Sequence, residues 1–76
     1  MKKSVDYRGF TVIAKSILLQ SGEWNTAVQI KRNGTVKPYY AKNTWKSEEE
    51  AVRQSLSFGM RIIDGEIREF NAEDLP

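Results

Sequence analysis

From Ser47 to Gly65 the chain carries a full set of signals for one helix that is apolar on a single side, and this constrains everything before it. Ser47 followed three residues later by Glu50 is a capping box, which satisfies N–H groups that the first turn would otherwise leave orphaned. Glu48, Glu49 and Glu50 also suit the positive end of the helix dipole. Ala51, Val52, Ser55, Leu56, Gly59, Ile62 and Ile63 then recur at helical spacing and leave Arg53, Gln54, Ser57 and Arg61 outside. Asp64-Gly65 closes the segment, because glycine best takes the left-handed position after a helix. Gly59 costs about 1 kcal/mol relative to alanine in mid-helix. Either the helix backbone approaches its neighbour closely there, or the residue is simply tolerated. A helix with one apolar stripe must bury it against a second layer, and the preceding sequence reads as strands.

Phe10 to Gln20 is rich in β-branched and large apolar residues and stops at Ser21-Gly22-Glu23. Its alternation changes phase. Phe10, Val12 and Ala14 set one face and Ile17 and Leu19 the other, which suggests either a bulge near Lys15-Ser16 or a strand covered on both faces. Trp24 to Arg32 alternates more cleanly, with Trp24, Thr26, Val28 and Ile30 on one face. Asn33-Gly34 follows, a strong signal for a two-residue type I′ hairpin. Thr35 to Trp45 is then the third strand, and Pro38 confines it to an edge because it cannot donate to a ladder. The expected fold is α+β, a three-stranded antiparallel meander in the order 1-2-3 packed against one C-terminal amphipathic helix.

A chain of 76 residues supports one core, and a domain of that size buries only about 60% of the surface its unfolded chain exposes. A single domain over 1–76 is expected, ordered over about 7–65, with 1–6 and 71–76 flexible and with Ile67, Phe70 and Leu75 as anchors of an acidic tail. The content of 39% apolar and 29% charged residues is that of an ordinary globular protein. There is no cysteine, hence no disulfide framework and no sign of an oxidising compartment. No signal-peptide pattern opens the chain, and the longest apolar run, Ile17 to Leu19, is far too short to cross a bilayer. A bacterial-type cytoplasmic setting without membrane attachment is the default expectation.

With neither histidine nor cysteine, the chain lacks the commonest general base, the most nucleophilic side chain and the usual soft metal ligands. Glu48, Glu49 and Glu50 are adjacent helical residues that point in different directions, which suits capping and not acid–base work. Asn33-Gly34 and Asp64-Gly65 are lone turn glycines and make no phosphate loop. The sequence therefore points away from an enzyme, a metal site or a cofactor, and towards a binding module.

The charge is unevenly placed. Nine bases up to Lys46 stand against Asp6 and Glu23, a balance of +7, whereas residues 47–76 set three arginines against eight acids, a balance of −5. Basic and aromatic residues interleave along the strands, as phosphates and exposed bases require. Arg8, Lys31, Arg32, Lys37, Tyr39 and Lys42 are accordingly the candidate nucleic-acid contacts, with Lys46, Tyr40 and Trp45 nearby. The bland alternative is an ordinary edge strand whose lysines block edge-to-edge pairing. A competing clue is that Ile13, Ile17, Leu18 and Leu19 are more apolar residues than one helix can shield. Ile13, Ile17 and Leu18 are thus the candidate interface of a homodimer or of a contact with another protein.

Two resemblances rest on these residues. Tyr7-Arg8-Gly9-Phe10, Trp24, Ser47-x-Glu49-Glu50-Ala51 and Ile62-Ile63-Asp64-Gly65 resemble a group of small bacterial proteins of uncharacterised function, which implies a strand-strand-strand-helix fold over residues 7–65 and no activity. Tyr7-Arg8-Gly9, Trp24 and Glu49-Glu50-Ala51 are also similar in plan to the plant-type AP2 DNA-binding domain and related integrase arm-binding domains. That likeness implies a sheet entering the major groove, with Arg8, Lys31 and Arg32 as counterparts of the contacting bases. The chain departs from it at Val12-Ile13-Ala14 and Ile17-Leu18-Leu19, where arginines are wanted.

Overall fold

In a computed structural model, which describes residues 2–67, four strands precede the helix. They are β1 (Lys2–Tyr7), β2 (Phe10–Leu18), β3 (Trp24–Arg32) and β4 (Thr35–Trp45), followed by α1 (Glu48–Ile63). The strands form one antiparallel sheet in the order β1-β2-β3-β4. The expected three-stranded sheet is therefore corrected to four, and the three-strand plan shared with AP2-type domains is not the one this chain adopts. The additional strand lies ahead of Phe10, where no strand was expected. Its reason is local: Arg8 and Gly9 both take positive φ, 49° and 85°, which makes a type I′ turn and folds β1 back onto β2. Val5 and Tyr7 then fall opposite Val12 and Phe10 and pack against the core. Phe70, Leu75 and the expected flexible end 71–76 lie outside the described residues.

Asn33 and Gly34 repeat the device at φ 51° and 81°, joining β3 to β4 as expected. Pro38, opposite Gln29, sits on the edge strand. A two-residue I′ turn makes Arg32 and Thr35 a hydrogen-bonded pair. By alternation the Gln29–Pro38 pair is then a non-bonded one, so proline removes nothing from the ladder.

Of the two readings of the phase change in β2, the bulge near Lys15-Ser16 is absent. β2 pairs without a break from Thr11 to Leu18 with β3 and from Phe10 to Lys15 with β1. The irregularity lies instead between β3 and β4: Asn25 pairs with Thr44 but Ala27 pairs with Tyr40, so β4 holds two extra residues. Side chains of the covered layer meet the polar groups disturbed there. Ser55 Oγ accepts from the Ala27 N–H at 3.3 Å while donating to the Ala51 carbonyl at 2.7 Å, which explains a fully buried serine on the helix. Thr26 Oγ1 accepts from the Trp45 indole N–H.

α1 lies on one face of the sheet. Ser47 Oγ accepts the Glu50 N–H at 3.1 Å, as the capping pattern predicts. At the other end the Gly65 N–H bonds to the Ile62 carbonyl and the Glu66 N–H to the Arg61 carbonyl, a Schellman closure. The core is Phe10, Val12, Ala14, Val28, Ile30 and Tyr39 from the sheet with Val52, Leu56 and Ile62 from the helix. Gly59 is the point of closest approach. A β-carbon built there would stand 2.5 Å from Val12 Cγ1 and 3.0 Å from Val28 Cγ2, which favours the close-approach reading over tolerance.

Candidate functional site

Register decides which side chains reach the uncovered face. Because Val12, Val28, Ile30 and Tyr39 face the helix, the opposite face carries Ser4 and Asp6 of β1, and Thr11, Ile13, Lys15 and Ile17 of β2. From β3 and β4 come Ala27, Gln29, Lys31, Val36, Pro38 and Tyr40. Three large apolar residues stand well exposed there, Ile17 at 46%, Val36 at 44% and Tyr40 at 58%. Between them is a shallow groove of about 240 Å³, lined by Lys15, Ile17, Ala27, Gln29, Pro38 and Tyr40. It exists because Ala27 is small while its row neighbours, Lys15 on β2 and Tyr40 on β4, are long. Lys15 and Lys31 supply positive charge to the face. Asp6 is an acid on it and accepts a hydrogen bond from the Thr11 hydroxyl at 3.1 Å, and Glu23 reaches its other end, accepting from the Thr44 hydroxyl at 3.2 Å.

The residues expected to touch nucleic acid do not converge on one surface. Lys31 is on the open face, and Lys42 is exposed in the bulged part of β4. Arg32 lies over the Phe10 ring, 4.9 Å from its centroid, at the hairpin end of the sheet. Lys37 falls opposite Ile30 on the helix side, with its ammonium 5.6 Å from the Tyr39 ring centroid. Tyr39 is 2% exposed and belongs to the core, so its ring presents no stacking surface, which corrects its assignment as a contact. On the open face the aromatic ring is that of Tyr40, with Lys15 in the same cross-strand row, and neither was among the expected contacts.

The expected apolar interface is also divided. Ile17 and Leu18 are consecutive strand residues and so point to opposite faces. Leu18, 58% exposed, is on the helix side, whereas Ile13 and Ile17 share the open face. β2 is interior, with β1 and β3 on its two sides, so only its face can meet a partner and its edge cannot.

Arg8 has a structural partner. Its Nε lies 3.3 Å from Asp64 Oδ1, and the Tyr7 hydroxyl donates to both carboxylate oxygens of Asp64 at 3.0 and 2.8 Å. The Tyr7-Arg8 and Asp64-Gly65 pairs singled out in the sequence thus meet, the first hairpin fastening onto the helix C-cap. The hydrogen bond to Asp64 raises the Tyr7 pKa above its ordinary 10.0, with desolvation and the Asp64 charge adding to it. A second depression, about 220 Å³, lies between β4 and α1 and is lined by Thr26, Asn43, Trp45, Gln54, Phe58 and Arg61 among others. Among the described residues no cluster of three His, Cys, Asp or Glu could hold a metal ion, and no helix is long and apolar enough to cross a membrane.

Comparison with known proteins gives one match. A family model described as "Domain of unknown function (DUF6566)" covers residues 1–75. No curated protein and no solved structure matches the chain.

Proposed function

We propose that the chain, which belongs to the DUF6566 family, is a non-catalytic binding module whose uncovered sheet face takes single-stranded nucleic acid. The observation that carries this reading is Tyr40, 58% exposed on that face beside the Ala27 groove, with Lys15 in the same cross-strand row. A base stacks on the phenol ring, an interaction worth about 1–3 kcal/mol per base and indifferent to sequence. Lys15, Lys31 and Lys42 neutralise phosphates and release counterions. The acidic first turn of α1 belongs to the other layer, so it does not repel the strand. The shallow groove matches a splayed base better than the stacked interior of a duplex.

Fluorescence anisotropy with labelled oligothymidine and oligouridine tests this. Binding is expected at low salt and should fall steeply as salt rises. Tyr40→Ala should weaken it by about tenfold or more, and Lys15→Glu or Lys31→Glu should weaken it and flatten the salt dependence. Absence of binding at low salt, or full affinity in Tyr40→Ala, overturns the reading.

A second reading is favoured by Ile17 and Val36, which are apolar and nearly half exposed on the same face. There the face meets protein, including another copy of this chain. Ile17→Lys separates the two readings. An added cation preserves or tightens oligonucleotide binding, whereas it weakens an apolar contact.

A further inference from the structure

The sheet has two edges, and they are finished differently. On β4, Pro38 occupies a position whose backbone nitrogen faces outward, so that edge lacks a donor, and the two extra residues between Tyr40 and Thr44 break its line. β1 has neither device: it holds no proline, and its pairing with β2 is continuous from Lys2 to Tyr7. The I′ turn at Arg8-Gly9 makes Tyr7–Phe10 a hydrogen-bonded pair. Alternation then commits Val5 and Lys3 to β2 and turns the N–H and C=O groups of Lys2, Ser4 and Asp6 outward.

We propose that this edge pairs antiparallel with β1 of a second copy of the chain, about a two-fold axis at Ser4, joining two four-stranded sheets into one of eight strands. Charge selects the partner and the register. With Ser4 on the axis, Lys2 of each copy falls opposite Asp6 of the other, and every outward-facing residue of β1 finds its backbone partner. Sliding by one two-residue step sets a serine opposite only one of the two charged residues and leaves the other beyond the end of the partner's β1. Centring on Lys2 or on Asp6 sets like charges together. One register alone is self-complementary, as an isologous contact requires. The axis is perpendicular to the sheet, so both helices lie on one side and the two open faces become one platform. The pairing does not depend on what that platform binds.

A contact of one short strand is small, so the dimer is weak and is sought by sedimentation velocity up to millimolar concentration. The expected result is a concentration-dependent dimer in which the Ser4 and Asp6 amides gain protection from hydrogen exchange. Asp6→Lys should raise the dimer dissociation constant about tenfold, and the charge-swapped double variant Lys2→Glu/Asp6→Lys should restore it. Ser4→Pro removes an outward donor, leaves the β1–β2 ladder intact and should abolish the dimer while circular dichroism stays unchanged. A chain monomeric at every concentration overturns the proposal. So does a dimer that survives both Asp6→Lys and Ser4→Pro, or one that is lost in Ile17→Lys while resisting Asp6→Lys, which would move the contact to the open face.

Discussion

The two faces of this sheet are made from alternate residues of the same strands, yet opposite forces shape them. On the covered face Val12, Ala14, Val28 and Ile30 are at most 1% exposed, and the helix approaches so closely that Gly59 has no room for a methyl group. On the open face Ile17, Val36 and Tyr40 stand 44–58% exposed, and among the described residues no second layer fixes their size. Where packing is dense, volume decides which residue a position accepts. Where it is absent, charge and aromaticity can gather, as Lys15, Lys31 and Tyr40 do among Ile13, Ile17 and Val36. The sharpest way to break this contrast is to truncate one isoleucine on each face. Ile30→Ala should cost about 2–5 kcal/mol through a cavity that cannot collapse, whereas Ile17→Ala should cost under about 1 kcal/mol. Urea unfolding at low protein concentration measures both. An equally large loss at Ile17 would mean that the open face is covered in solution.

Gly59 probes the same contrast from the helix side, with a smaller effect. Alanine would gain about 1 kcal/mol of helix propensity, but its β-carbon would drive against Val12 and Val28, which are themselves fully buried. Overpacking of this kind costs about 1–3 kcal/mol. Gly59→Ala is therefore expected to lower the midpoint of thermal unfolding, and a rise in that midpoint would show that the layers can separate at little cost.

The covered face was the legible one. Its helix, cap to cap, follows from a 3.6-residue period and two capping signals that need no tertiary information, and Asn33-Gly34 announces its turn for the same reason. β1 escaped because Arg8 is an unusual residue at positive φ, so the turn chemistry was hidden and the alternation of Lys3, Val5 and Tyr7 was not read as a strand. The phase change in β2 suggested either a bulge or a strand covered on both faces. In fact Ile13 and Ile17 keep strict alternation and are simply on the face no helix covers. Tyr39, expected as a contact, is a core residue for a reason available in the sequence. A two-residue turn at Asn33-Gly34 sets Arg32 opposite Thr35, hence Val28 opposite Tyr39, and Val28 was already placed on the buried face. Counting outward from the turn separates the core tyrosine from the exposed one. The register slip that follows, between Asn25 and Ala27, has no such marker, because it depends on Ser55 and Trp45 arriving from elsewhere in the chain.

The smallest effect belongs at the rim where the covered layer closes. Asp64 caps the C-terminal end of α1, a place where a carboxylate meets the negative end of the helix dipole. Tyr7 and Arg8 offset this from the first hairpin, and since Arg8 is 67% exposed its ion pair contributes little. The Tyr7 hydroxyl is the group with a proton to lose. Its folded pKa is raised above 10.0 chiefly by the bond it donates to Asp64, and an ionised phenolate would repel the carboxylate instead. A raised folded value means that the contribution is complete below the unfolded pKa and is lost as pH rises through the folded one. Stability should therefore decline above about pH 10 more steeply in the native protein than in Tyr7→Phe, and the two should differ by a constant amount at neutral pH. Unfolding midpoints between about pH 8 and 11.5 follow this directly. Parallel curves across that range would show that the hairpin is held to the helix by the packing of the Tyr7 ring alone, which would extend the rule of the covered face out to its rim.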